Sequence, residues 1–212
     1  MAFNLYIDTS GQHSVALLFN QDTILAQAQN PNPMDHGKWL HPALEGLMKE
    51  LPNRWKDLEA VYVMNGPGSY TGLRVALSAA KGICFACGVP LFLMNRLDWL
   101  KAAATAQTGR ILVLMRARED EYFTGAYEGS QVLTSSCLPL KTAEVEDWLV
   151  RHHGNLVVGE ESLLARWPQA EWVPFRLESL PTLALKIAQE GDLLQSEPFY
   201  GKNVHINKIN KL

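Results

Sequence analysis

Apolar and polar residues alternate over 3–8, 15–20 and 23–29, which predicts a strand followed by a hairpin turning at Gln21-Asp22. The rhythm then changes. Leu40, Leu44, Leu47, Met48 and Leu51 recur at helical spacing and stop before Pro52, so 37–51 reads as a helix. A strand at 60–64, the turn Gly66-Pro67-Gly68-Ser69, a long helix over 70–87, a strand at 91–94 and a helix over 96–106 follow. After Thr108-Gly109 the order restarts, with strands at 111–115, 122–127 and 131–135, a helix over 142–153 and a strand at 156–158. Helices at 162–167 and 183–190 close the pattern.

Two copies of a meander followed by βα units predict an α/β chain of two mixed-sheet subdomains. The first spans 1–107 and the smaller second 108–212. A duplicated actin-like ATPase or ribonuclease-H-like fold fits this order. In such a pair the cleft between the halves takes the ligand, and Asp8, at the end of the first strand, faces it.

Composition narrows the function classes. With 47% hydrophobic and 19% charged residues, the 212-residue chain carries the apolar area a packed core needs, and disorder is excluded as its main theme. The net charge is -3 and neither half is a charged arm, since 1–100 hold 7 basic and 8 acidic residues and 101–212 hold 12 and 14. Such a surface does not hold a polyanion unaided, so nucleic acid would have to be reached with help. Three cysteines point to a reducing compartment, the N-terminus lacks a basic signal region, and the uncharged run 82–95 contains Pro90 and falls short of the ~20 residues a bilayer needs. No membrane contact and a cytoplasmic setting are expected.

The loop from Gly66 to Gly72 follows a strand and opens a helix, where free N–H groups and the helix dipole favour an anion. Its glycine spacing is neither a P-loop nor a dinucleotide fingerprint, and a tight turn capped by Ser69 or Thr71 accounts for the same residues. The helix it opens has Arg74, Ser78 and Lys81 as a narrow polar stripe and is otherwise apolar or small, so both flanks need covering, by its own domain or by another chain. Cys84-x-x-Cys87 has no second pair of ligands and sits at a helix end, so it reads as two buried small residues. His36 and His41 do not share a helical face, no metal set is read from them, and capping or surface roles are expected. The charged run 116–121 reads as a solvated turn, and the tail with Lys202, His205, Lys208 and Lys211 as solvated or partner-docking, with too few lysines for more than slight RNA contact.

Leu5-Tyr-Ile-Asp-Thr-Ser10, Asn65-Gly-Pro-Gly-Ser-Tyr-Thr-Gly-Leu-Arg74, Ala80-Lys-Gly82 and Gly88-Val-Pro-Leu91 closely resemble the TsaB (YeaZ) family of tRNA threonylcarbamoyladenosine biosynthesis proteins. The likeness is specific to about residue 106 and weaker beyond, at 112–127, Val157-Val-Gly159 and Pro198-Phe-Tyr200, and Lys202 stands where the family often has Arg. His36-Gly37-Lys38 departs from the family's usual His-Ser-Glu.

The resemblance implies an actin-like fold and a part in threonylcarbamoylating the adenosine beside the anticodon of tRNAs that read codons starting with A. It implies a non-catalytic paralogue of a metal-dependent TsaD-type subunit, paired with it through helices of the first subdomain and joined by a TsaE-type ATPase. TsaD-type proteins hold their metal with two histidines four apart, and the corresponding positions here are Arg96 and Leu100, neither an imidazole ligand.

No catalytic and no metal-binding residue is therefore expected. Asp8, Gly66, Gly68 and Ser69 are the candidates for vestigial or weak nucleotide or phosphate contacts, and no cofactor is expected to bind tightly beyond weak ATP or ADP, directly or at the interface with the catalytic partner. Leu40, Leu44, Leu47, Leu73, Ala76, Ala80 and Ile83 are the candidate interface residues, for the TsaD-type partner or for a homodimer when the chain is alone, with tRNA reached indirectly through the complex. The competing expectation is an independent ATP-dependent phosphoryl or carbamoyl transferase working in the cleft with Asp8 and the 66–72 loop.

Overall fold

β1 (Phe3–Asp8) is buried at all its positions, the mark of a central strand covered on both faces. In the computed structural model, which describes residues 2–12, 14–30, 32, 35–50, 54–105, 108–135 and 138–200, β1 pairs antiparallel with β2 (Ser14–Asn20) and parallel with β4 (Leu58–Gly66). β3 (Thr23–Asn30) extends the meander and β5 (Leu91–Asn95) lies parallel beyond β4, giving the order β3-β2-β1-β4-β5. The second sheet repeats it as β8-β7-β6-β10-β11, from β6 (Arg110–Arg118), β7 (Glu121–Glu128), β8 (Gln131–Ser135), β10 (Asn155–Val158) and β11 (Glu171–Trp172). Short β9 (Leu140–Lys141) pairs with β7 off this path. The duplicated actin-like arrangement of two mixed sheets is thus present strand for strand.

α1 (His36–Lys49) and α2 (Tyr70–Cys87) cover one face of the first sheet, where Leu5, Ile7, Val61 and Val63 meet Leu40, Leu44, Leu73, Ala76 and Ala80. The alternate residues Tyr6, Tyr62 and Met64 point the other way, into the largest core, which α3 (Arg96–Ala103) and α5 (Leu180–Ile187) share with Ile111, Val113 and Val157 of the second sheet. α4 (Thr142–His152) covers the far face of that sheet with Val145 and Trp148. Among the described residues no helix is long and apolar enough to cross a membrane.

Several elements differ from the sequence reading. α1 ends at Lys49, with Leu51 outside the described residues, and α3 stops at Ala103, before an extended Ala104; Ala106 lies outside the described residues. The predicted helix at 162–167 is a 3-10 turn, Glu161–Ala165. The predicted helix at 183–190 starts earlier, because Pro181 sits in its first turn with φ already helical. It also ends earlier: Gln189–Gly191 forms β12, an antiparallel edge strand on β5. Period alone does not separate a three-residue edge strand from a fraying helix end. The chain thereby leaves the second sheet after β11, packs α5 on α3, and returns to the first sheet at β12.

Candidate functional site

Where the two sheets face each other they leave a cleft of about 1760 Å³, with Asp8, Ser10, Ser69 and Arg96 on one wall and Met115, Arg116, Phe123 and Phe175 on the other. Its floor is the C-terminal end of β1, the place where parallel-strand ends put ligands in open α/β sheets. Asp8 is 1% exposed. Its Oδ1 accepts from Ser10 N at 2.9 Å and Ser10 Oγ at 2.8 Å, and its Oδ2 accepts from an Arg96 guanidinium nitrogen at 2.6 Å and from Tyr6 Oη at 3.5 Å. The same Arg96 nitrogen donates to Ser10 Oγ at 2.9 Å.

Arg96 reaches Asp8 because Asn95 caps α3, its side chain accepting from Leu97 N at 2.8 Å and Asp98 N at 3.4 Å, so the first helical residue starts at the rim of β5. The Arg96 side chain is 12% exposed, so this is a buried ion pair closed by neighbouring hydroxyls. Leu100, one turn on, is 2% exposed and lies against Gly159, where an added Cβ would stand 3.1 Å from it. A guanidinium tied to the carboxylate and an aliphatic side chain do not fit a metal ion, and among the described residues no group of three or more His, Cys, Asp or Glu could hold one.

The 66–72 loop packs tightly on the turn after β1. Ser69 N donates to Ser10 O at 2.8 Å, and Thr9 Oγ1 donates to Gly72 O at 2.6 Å. A Cβ on Gly68 would stand 2.7 Å from Ser10 O, and one on Gly72 would collide with the Thr9 carbonyl, so these glycines permit close backbone approach. Ser69 caps α2 by accepting from Gly72 N at 3.3 Å. Two N–H groups that a phosphate would use, those of Ser69 and Gly72, are thus engaged within the chain.

The four expected contact residues come together around this floor: Asp8 paired, Gly66 buried against Phe199, Gly68 against Ser10, and Ser69 exposed at the helix start. The seven expected interface residues lie elsewhere than on a free surface. Leu40, Leu44, Leu47, Leu73, Ala76 and Ala80 are buried in the chain's own core, because the sheet is the nearest apolar surface for both helices, and Ile83 is half-buried beside it. The solvent face of α2 is instead formed by Thr71, Arg74, Ser78, Gly82 and Phe85, the last 83% exposed.

Three pairings escaped the sequence reading: Asp8 with Arg96, Arg74 with Tyr200, and Ser14 with His36. His36 is buried, its Nδ1 sharing a 2.7 Å hydrogen bond with Ser14 Oγ, and burial lowers its pKa against the opposing pull of Asp8. His41 is exposed. Cys84 is buried, Cys87 half-buried, and burial pushes the Cys84 thiol up to about 11, away from redox or ligand chemistry at neutral pH. Arg116 of the charged hairpin pairs with Glu160 at 3.2 Å. The tail lysines and His205 lie outside the described residues.

Residues 30–158 match the family model described as TsaD, tRNA N6-adenosine threonylcarbamoyltransferase. The tRNA threonylcarbamoyladenosine biosynthesis protein TsaB of Bacillus subtilis (strain 168) is 29% identical over 68% of this chain and 63% of its own length, and the TsaB of Escherichia coli (strain K12) is 25% identical over 58% and 54%. The matched region thus spans less than two thirds of either relative. Two solved structures from Pseudomonas aeruginosa share the fold: an uncharacterized protein with similarity to peptidase YEAZ, with a TM-score of 0.71 at 23% identity over 95% of this chain and 100% of that one, and YeaZ, with 0.65 at 21% over 94% and 100%. The chain belongs to the family that the TsaD model describes, and the curated relatives named above are TsaB proteins.

Proposed function

We propose that the chain is a non-catalytic subunit in the biosynthesis of tRNA threonylcarbamoyladenosine, binding and activating a TsaD-type catalytic subunit. The names of its relatives support the pathway, and the Asp8–Arg96 pair carries the non-catalytic part. A carboxylate that coordinates a cation needs free lone pairs; here both oxygens accept from the chain's own donors, and a divalent ion beside Asp8 would meet the Arg96 charge at close range. Docking falls to the solvent face of α2, where Phe85 stands 83% exposed. In this reading a TsaE-type ATPase joins the complex, the same face pairs two copies of the chain when it is alone, and tRNA is reached through the complex because a net charge of -3 supplies little of the phosphate attraction.

The size of the cleft favours a second reading, an ATP-dependent phosphoryl or carbamoyl transferase. Calorimetric titration with Mg-ATP separates the two. The scaffold reading expects weak binding or none, whereas tight binding that Asp8→Ala abolishes supports the transferase. Sedimentation with the cognate TsaD-type protein tests docking directly: Phe85→Arg is expected to weaken a complex that the unaltered chain forms, and no complex with either chain contradicts the proposal.

A further inference from the structure

Among the described residues after β12, 192–200 form no helix or strand, yet this segment is fastened along α2. The Asp192 carboxylate accepts from Leu194 N and Gln195 N at 2.7 Å each, and the Leu194 carbonyl receives Lys81 Nζ at 3.4 Å. Farther on, Phe199 N donates to Asn65 O at 2.8 Å, and the Phe199 carbonyl lies where a Cβ on Gly66 would collide. Arg74 Nε donates to Tyr200 Oη at 2.7 Å, the Tyr200 ring packs on Tyr70 at 4.6 Å between centroids, and the Arg74 guanidinium covers the Tyr70 ring at 4.3 Å. Lys81 to Tyr70 is about 16 Å of helix at 1.5 Å per residue. Leu194, at the Lys81 end, and Tyr200, at the Tyr70 end, bridge that span, so the segment runs against the direction of α2.

We propose that residues 192–200 form a strap latched on α2 by Arg74 and Tyr200, and that this latch ties the rim of the cleft to the solvent face of α2. Tyr70 and Tyr200 line the cleft, whereas Arg74 belongs to the outer stripe of the helix, so one cluster touches both surfaces. The strap crosses the 66–72 loop at Gly66, and the same loop is held from its other side by Thr9 and Ser10. Each contact is weak at an exposed site. The segment is therefore held by several at once and opens as a unit. A ligand that displaces the Tyr200 ring, or a partner that takes Arg74 for itself, acts on the same clasp.

The contacts carry the latch; its bearing on partner docking rests on the function proposed above. Hydrogen exchange on the full chain without ligand or partner tests the latch alone, so its failure and the failure of that function are separate results. Tyr200→Ala is expected to speed exchange about tenfold in peptides covering 66–74 and 192–200 while leaving 3–8 unchanged. Tyr200→Phe, which keeps the ring and loses the hydrogen bond, is expected to produce a smaller rise in the same two peptides, and it is read by the same criterion if the alanine variant does not fold. Faster exchange in 192–200 with 66–74 unchanged would overturn the proposal, as would no change anywhere or a uniform rise that includes 3–8.

Discussion

Asp8 and Arg96 hold each other in a site too dry for either to stand alone. Removing one partner leaves the other charged and buried, so Asp8→Ala and Arg96→Ala are each expected to cost about 3–5 kcal/mol, read by urea denaturation. The double variant Asp8→Asn/Arg96→Met removes both charges and is expected to lose much less stability than the sum of the two single losses. At His36 the sign follows from burial. Its folded pKa is lowered from 6.5, so the unfolded chain binds the proton first, and the stability it contributes is present above 6.5 and lost as pH falls through the folded value. His36→Gln is accordingly expected to flatten the loss of stability on acidification below about 6.5, as followed by denaturation midpoints across pH. Cys84, pushed up to about 11, is expected to resist iodoacetamide at pH 7.5 until the chain unfolds, as measured by mass spectrometry. The sequence pointed to Asp8 and Arg96 separately, the one at a strand end and the other in place of a histidine. Their pairing across 88 positions follows from β1 and α3 meeting at one corner, which local pattern does not encode.

At the scale of elements, α2 was legible at both ends: Ser69 caps it and Gly88 closes it with φ +69. Its facing was not. A helix apolar on most sides gives no single stripe to orient it, and Leu73, Ala76 and Ala80 turned to the sheet instead of to solvent. An arginine at Ala76 or Ala80 therefore enters a core where both residues are 0% exposed, and is expected to destabilise the fold by 3 kcal/mol or more, of order several kcal/mol for an unpaired buried charge. Ser78→Arg, on the exposed stripe, is expected to melt within a few degrees of the parent chain. Equal melting of Ala80→Arg and Ser78→Arg would contradict this orientation. β12 shows the same limit in miniature, since Gln189, Glu190 and Gly191 become a strand only because the edge of β5 is there to receive them.

Across the whole molecule, duplication of the meander was readable from the order of apolar runs, and it set the place of the cleft. The loops that furnish that cleft come from both halves, and their partners are fixed by the packing of α3 and α5 in the shared core. Here the chain has filled the floor of its own cleft: the carboxylate is paired and the loop glycines are packed against the β1 turn, while Phe85 on α2 stays exposed. The most direct test of a supporting, non-catalytic role is reconstitution with cognate TsaD-type and TsaE-type proteins, threonylcarbamoyl-adenylate, ATP and tRNA, with modified adenosine quantified by mass spectrometry. The expected result is product only when this chain and the TsaD-type subunit are both present, retained with Asp8→Asn/Arg96→Met and reduced with Phe85→Arg. Product from this chain without the TsaD-type subunit, or the same yield when this chain is left out, would contradict it.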